Sequence, residues 1–390
     1  MKRSSMRVQS LPPYLFSIFH ERRKALEAKG IDVIDLGIGA PDLPPPDFIV
    51  DRLVSELRQP EQHRYSPYTG CDEFREAVAS YYKRTYDVTL DPKREVLTLI
   101  GSKEGIASMM TAWLDPGDVT LIPNPGYPVY RSAVHLAGGE VVDLPLLAPA
   151  HASPNYEAIR EKDFENAKMM VLNYPGNPTG ATIDIEVFLE AVTLCKQHDV
   201  ILAHDAAYGS LTYDGYQAPS ILQVDGAKEI AVEFGSLSKT FNMAGWRIGY
   251  VVGNEEVIKA IATVKSNIDT SQFLPIQFAA AEALRSDFSA VREQCEIYKE
   301  RRDYAVEQLR RIHIDAPCPK GTFFIWAPVP DGATSREFSE RLLEAGVVVT
   351  PGEAFGTEGR GYFRISLSTS IDRLTEAFSR MEKVVKEMER

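Results

Sequence analysis

The stretch Glu233–Tyr250, EFGSLSKTFNMAGWRIGY, decides the fold. An apolar run at Val232–Phe234 gives way to the small residues Gly235 and Ser236, and a second apolar run follows at Ile248–Val252. Between them stands Lys239, with Ser236 and Ser238 just before it and Arg247 eight positions after it. An amine on a tight turn, set among hydroxyls and a guanidinium, is equipped to meet an aldehyde and a phosphate on one ligand. Taken singly, a lysine after a strand is more often a surface residue. The weight of the motif therefore depends on what the rest of the chain supplies.

Working outward, the same strand-then-polar-loop pattern recurs. Short runs rich in Val, Ile and Leu occur at Val96–Ile100, Val119–Ile122, Val141–Leu144, Met169–Leu172 and Val200–Ala203. Helical periodicity fills the intervals, as at Glu104–Ala112, Tyr127–Leu136 and Ile185–His198. Alternation of this kind predicts an α/β fold, with a mainly parallel mixed sheet between helices. Ligands of such sheets bind beyond the carboxyl ends of the strands, and the polar motifs fall there: GSKEG (101–105), NYPGNPTG (173–180), HDAAYG (204–209) and SLSK (236–239).

Both flanks differ from this centre. Residues 1–45 read as an arm: a helix near Phe16–Lys29, a strand at Val33–Leu36, then GIGAPDLPPP, which its prolines exclude from any continuous helix. Beyond about residue 280 come one long charged helix over Ala279–Ile312, strands at Gly321–Ala327 and Gly346–Thr350, YFRISLS, and a last helix at Ile371–Met388. The expected organisation is a large domain over 46–280 and a small α+β domain over 281–390 that the arm completes.

The formal net charge of −12 argues against nucleic acid as the main partner. Cys71, Cys195, Cys295 and Cys318 are scattered with no CxxC pair, which predicts reduced thiols and no zinc cluster or disulfide frame. No metal is expected. The basic start, MKRSSMRVQSLPPYLF, lacks the apolar segment of a signal peptide, and no apolar run is long enough to span a membrane. The expected location is the cytoplasm.

Several side chains have the chemistry to complete a site around Lys239. Asp205, at the end of its strand, suits the charged nitrogen of a pyridine ring, because the ion pair favours the protonated ring; a helix N-cap is the ordinary alternative. Tyr208 and the Asn177 amide suit that ring's phenolic oxygen, although PGNPTG is also what a plain turn looks like. Gly101–Gly105 precedes a helix, so its N–H groups and the Ser102 hydroxyl form a natural anion site. Tyr127 offers a stacking face or a buried core ring. Arg364, inside an apolar strand, calls for an anion: a substrate carboxylate or an internal salt bridge. Pyridoxal 5'-phosphate (PLP) presents the aldehyde, the phosphate and the pyridine together.

In order and spacing, NPTG, Asp-x-x-Tyr, SLSK with its downstream Arg247, and FRIS resemble the fold-type I PLP enzymes, specifically the class I/II aminotransferases. The resemblance runs from about Leu36 to the C-terminus. It implies that Lys239 holds the cofactor and carries the proton, that Asp205 pairs with the ring nitrogen, and that Asn177 and Tyr208 hold the phenolic oxygen. It implies a phosphate cup of Ser102, Lys103 (through its backbone), Ser236, Ser238 and Arg247, with Tyr127 stacked on the ring. Arg364 would clamp the α-carboxylate of an L-amino acid or 2-oxo acid, with Asn177 and the Gly39 backbone closing on it. Tyr65 would reach the neighbour's phosphate in a homodimer with shared sites.

The activity implied is ping-pong transamination. The LPPYLF start, LGIGAPDLPPP and PGYPVY look most like the branch containing LL-diaminopimelate, aspartate, alanine and N-acyl-diaminopimelate aminotransferases. Asn124 and Ala206 depart from what close relatives are expected to carry, without removing a chemical group. A β-lyase or decarboxylase of the same fold type is the alternative. A regulator fused to a DNA-binding module is disfavoured because the catalytic body is expected to begin by about residue 35. A non-catalytic scaffold is disfavoured because no catalytic group is missing.

Overall fold

The computed structural model describes residues 4–11, 15–147 and 152–388; residues 12–14, within the quoted LPPYLF, lie outside them. Twelve strands are numbered here in chain order among the described residues: β1 Ile34–Asp35, β2 Val96–Leu99, β3 Val119–Asn124, β4 Glu140–Pro145, β5 Ala167–Asn173, β6 Ile201–Asp205, β7 Ala231–Ser236, β8 Gly249–Gly253, β9 Phe324–Pro328, β10 Val347–Val348, β11 Thr350–Pro351 and β12 Tyr362–Ser366. Seven of them form one sheet in the order β2-β8-β7-β6-β5-β3-β4. Neighbours from β4 through β3, β5 and β6 to β7 are parallel, and β8 is antiparallel to both β7 and β2. The strands are short, and β2, β3, β7 and β8 are buried throughout, as a sheet covered on both faces requires. Its two faces carry separate apolar clusters, one around Leu121, Leu172 and Leu202, the other around Leu97, Val171 and Phe234.

Register sets the site. Asn173 at the end of β5 lies beside Asp205 at the end of β6, and Ser236 at the end of β7 lies beside Gly249. The loops that leave these strands therefore open at one edge.

The second body is smaller. Strands β11, β12 and β9 form an antiparallel sheet in which Arg364 sits opposite Trp326 on one side and Thr350 on the other. From the N-terminal part, β1 pairs in parallel with β10. Over the small sheet pack the helices Ser335–Glu344, started by a capping box between Thr334 and Glu337, and Ile371–Met388.

One expectation is corrected here. The single long helix over Ala279–Ile312 is two helices, Leu274–Arg285 and Ser289–Arg311. Between them Phe288 adopts a left-handed φ of 61°. Its ring stacks on Tyr81 at 5.4 Å and meets Phe241 edge-on at 5.2 Å, and that burial offsets the backbone strain. The Asp287 carboxylate accepts the Ser289 N–H and starts the second helix.

Candidate active site

At the carboxyl edge of the large sheet is a cavity of about 600 Å³. Every sequence-predicted site residue except Tyr65 lines it: Ser102, Lys103, Tyr127, Asn177, Asp205, Tyr208, Ser236, Ser238, Lys239 and Arg247, with Gly39 and Arg364 from outside that sheet. Tyr65 is 88% exposed and does not line this cavity.

Lys239 rides on the helical turn Leu237–Thr240, whose N-cap Ser236 accepts from the Ser238 N–H. Its ammonium nitrogen donates to the Gly39 carbonyl at 2.6 Å and lies 5.7 Å from the centre of the Phe323 ring. Burial holds its pKa down to about 8, and the charges of Arg364 and then Arg247 press the same way. That brings the free amine, the form that attacks an aldehyde, within reach of neutral pH.

Beside it the helix Ser102–Trp113 starts at the cavity wall with no side chain capping it. Its first two residues, Ser102 and Lys103, line the cavity. Gly101 precedes them at φ 82°, and a Cβ there would collide with the Arg247 guanidinium. Arg247 itself donates to the Ala244 carbonyl at 2.7 Å. A helix N-terminus, three serine hydroxyls and a guanidinium form a cup for a dianion.

Asp205 is 5% exposed. Its Oδ2 accepts from the Tyr130 hydroxyl at 2.7 Å and its Oδ1 from the Ala207 N–H at 3.3 Å. Burial pushes its carboxyl above the usual range, only partly opposed by Tyr130. A cationic ring nitrogen would supply the missing counter-charge. Asn173 ties the strand ends together, its amide donating to the Asp205 carbonyl at 2.7 Å and accepting the Asn177 N–H at 2.8 Å. Behind the strand, His204 bonds the Glu233 carboxylate at 2.8 Å. Burial alone would raise Glu233, yet hydrogen bonds from His204, Tyr82 and the Ile221 N–H hold it below its usual value. This buried network pins β6 to β7 under the site.

Arg364 is 1% exposed and sandwiched between Phe324, 4.1 Å from its carbon to the ring centre, and Phe355 at 4.8 Å. It donates to Asn177 Oδ1 at 2.6 Å and to the Gly37 carbonyl at 2.7 Å. With Oδ1 so occupied, the Asn177 amide N–H groups are left for an acceptor in the cavity. Tyr208 packs edge-on against Phe323 and Phe324, and burial pushes its hydroxyl up, so it meets that acceptor as a donor. The residues present thus fit PLP at three independent points: a dianion cup, a buried carboxylate in want of a cation, and a depressed lysine between them.

Sequence reasoning missed several contributors. Tyr130 lies three residues after Tyr127 in the quoted PGYPVY, and a buried tyrosine hydroxyl needs a partner. Gln294 gave no signal at all: it donates to the Lys239 carbonyl at 2.9 Å and accepts from Asn242 at 3.0 Å. Asn124 was noted only as a departure, yet it bonds the Thr357 hydroxyl at 2.9 Å and the Glu358 N–H at 3.1 Å.

Residues 31–381 match the family described as aminotransferase class I and II. Over 384 residues the chain is 48% identical to the LL-diaminopimelate aminotransferase of Moorella thermoacetica, covering 98% of each protein. Among solved structures it is similar to substrate-bound BacF from Bacillus subtilis, 39% identical with a TM-score of 0.94 over 98% of both chains. It is also similar to a probable N-succinyldiaminopimelate aminotransferase from Thermus thermophilus, 37% identical with a TM-score of 0.90, over 95% of this chain and 99% of that one.

Proposed function

Because the chain belongs to the class I and II aminotransferases, we propose that its amino donor is LL-diaminopimelate and its acceptor a 2-oxo acid. The reaction class is PLP-dependent transamination. The observation that supports this donor is the 48% identity, over 98% of both chains, to an enzyme named for it.

When bound, PLP supplies an aldehyde and an electron sink. On our reading Ser102, the Lys103 backbone, Ser236, Ser238 and Arg247 hold its phosphate, Asp205 its ring nitrogen, Asn177 and Tyr208 its phenolic oxygen, and Tyr127 its ring face. Lys239 holds the cofactor at rest and, once freed as the neutral amine, moves the proton at the donor Cα. Arg364 fixes the α-carboxylate, with the backbone at Gly39, whose carbonyl is 2.6 Å from the lysine, closing on it. The buried rings of Phe323 and Phe324 pack against Tyr208, and Phe324 lies against Arg364.

A panel of donors assayed with 2-oxoglutarate and pyruvate tests the reading. LL-diaminopimelate should show the highest kcat/KM. A tenfold preference for aspartate, alanine or N-succinyl-diaminopimelate would replace the donor, and ammonia or carbon dioxide released without an acceptor would replace the reaction.

The same reading makes the enzyme a cytoplasmic homodimer with shared sites, its arm (1–45) and small domain (281–390) moving together against residues 46–280. Four unpaired cysteines suit a reducing compartment, to be checked by cell fractionation. The pairing of β1 with β10 supports the joint movement, to be checked by hydrogen exchange with and without substrate. The dimer is supported by Tyr65, exposed like Tyr68 three residues on and not lining its own cavity. Mixing Tyr65→Phe with Lys239→Ala subunits should give hybrids with one intact site. At limiting PLP those hybrids should be more active than either parent; hybrids no better than the parents would end the shared-site reading.

A further inference from the structure

The proposed roles leave one acidic group of the cavity without a task. Asp205 is committed to the ring nitrogen, but Glu21 also lines the cavity, from the helix Leu15–Glu27 of the arm. It lies at the open side with Ile38 and Gly39, and it is exposed where Asp205 is buried. The basic residues beside it on the helix are spent elsewhere: Arg22 on Glu340, and Arg23 on Glu27 and Asp35. Among the described residues Glu21 itself has no ion-pair partner. A carboxylate on the exposed rim of a cavity that also holds Arg247, Arg364 and Lys239 presents the opposite charge to the far end of a long donor.

We infer that Glu21 reads a distal ammonium on the amino donor and so selects donors that carry a second amine far from the reacting one. The inference rests on the proposed donor reading and adds to it a specificity-determining side chain. An L-amino acid with its α-carboxylate on Arg364 and its amine at Lys239 directs its side chain outward, toward the arm. A second ammonium there meets Glu21; a lone distal carboxylate there is repelled by it. Glu21 is exposed before binding, and only the donor covers the pair, so its effect falls at the low end for a charged hydrogen bond.

The test compares LL-diaminopimelate with L-2-aminopimelate, which has the same length and the same distal carboxylate but no second amine. The readout is the ratio of their kcat/KM values, with PLP content measured by absorbance. Glu21→Gln should lower the ratio about tenfold, mostly through the KM for LL-diaminopimelate, at unchanged PLP content. Glu21→Lys should reverse the preference. A wild-type ratio well above one that both variants leave unchanged overturns the role of Glu21 while the donor reading stands. Equal losses on both donors also overturn it, since they mark a structural role. A wild-type ratio at or below one overturns the donor reading and this inference together.

Discussion

At the inner end of the cavity, the one nearest the large sheet, Ser102, Asp205, Ser236, Ser238 and Arg247 all stand at strand ends of one seven-stranded sheet or on the segments that join its strands. At the outer end Arg364 stands on β12 of the small sheet and reaches Asn177 and Gly37, residues 187 and 327 positions away in the chain. The inner groups are local to short motifs and are fixed by strand register. The outer ones meet only because two bodies dock, through contacts such as Gly126 N–H to the Phe355 carbonyl at 2.8 Å and Asn124 to Thr357 and Glu358. On the proposed roles, the contrast separates chemistry from choice: the reaction rests on groups of the sheet, and the substrate on groups that the docking brings in.

The largest effect belongs at the inner end. Lys239→Ala should lower kcat by about 10⁴-fold or more with every donor alike, since both the covalent anchor and the proton carrier go. Borohydride reduction of the wild-type holoenzyme should leave the pyridoxyl label on Lys239 in a peptide map. A variant that kept turnover for one donor, or a label on another lysine, would break the separation.

A smaller loss belongs at the outer end. Each charge-assisted hydrogen bond from Arg364 to a carboxylate is worth about 1.5–3 kcal/mol, so Arg364→Ala should cost roughly 100-fold in kcat/KM. PLP content should not change. If the cofactor were lost along with substrate affinity, the two ends would not be independent.

The smallest effect probes an electrostatic link between them. The Lys239 amine, held down to about 8 by burial and then by Arg364 and Arg247, should take up PLP in the cofactor-free enzyme at a rate that rises with pH and levels just above 8. A rate still climbing near the ordinary lysine value of 10.5 would contradict it. Between those two values the unfolded chain binds more protons on this group than the folded one. Its contribution to stability therefore rises with pH across that window, and the penalty is full below about 8. Arg364→Ala should move the midpoint upward, toward an ordinary lysine.

The inner end was also the legible one. SLSK, HDAAYG, GSKEG and NYPGNPTG each place a reactive group within a few residues of a strand end, so reading the strands locates the groups. Arg364 was legible for a different reason, as an arginine in an apolar strand. Gln294, Tyr130 and Asn124 were not, because their partners come from other elements and no local pattern marks them. The break after Arg285 escaped for the same reason: Ser286-Asp287-Phe288 holds neither Gly nor Pro, and the packing of Phe288 on Tyr81 and Phe241 offsets its left-handed backbone. Strand direction was equally silent, and β8 runs against its neighbours without a sequence sign.

That break makes the helix Ser289–Arg311 a lever arm, with its fulcrum at the clamped ring of Phe288. At 23 residues the arm is about 34 Å long. Gln294, holding the Lys239 carbonyl, sits roughly 9 Å from the fulcrum, and Arg301, holding Asp42 and the Leu367 carbonyl, roughly 20 Å from it. Any rotation about Phe288 therefore carries the arm's hold on the small sheet about twice as far as its hold on the lysine turn. Under the proposed closure the outer wall therefore travels about twice as far as the turn that carries the amine.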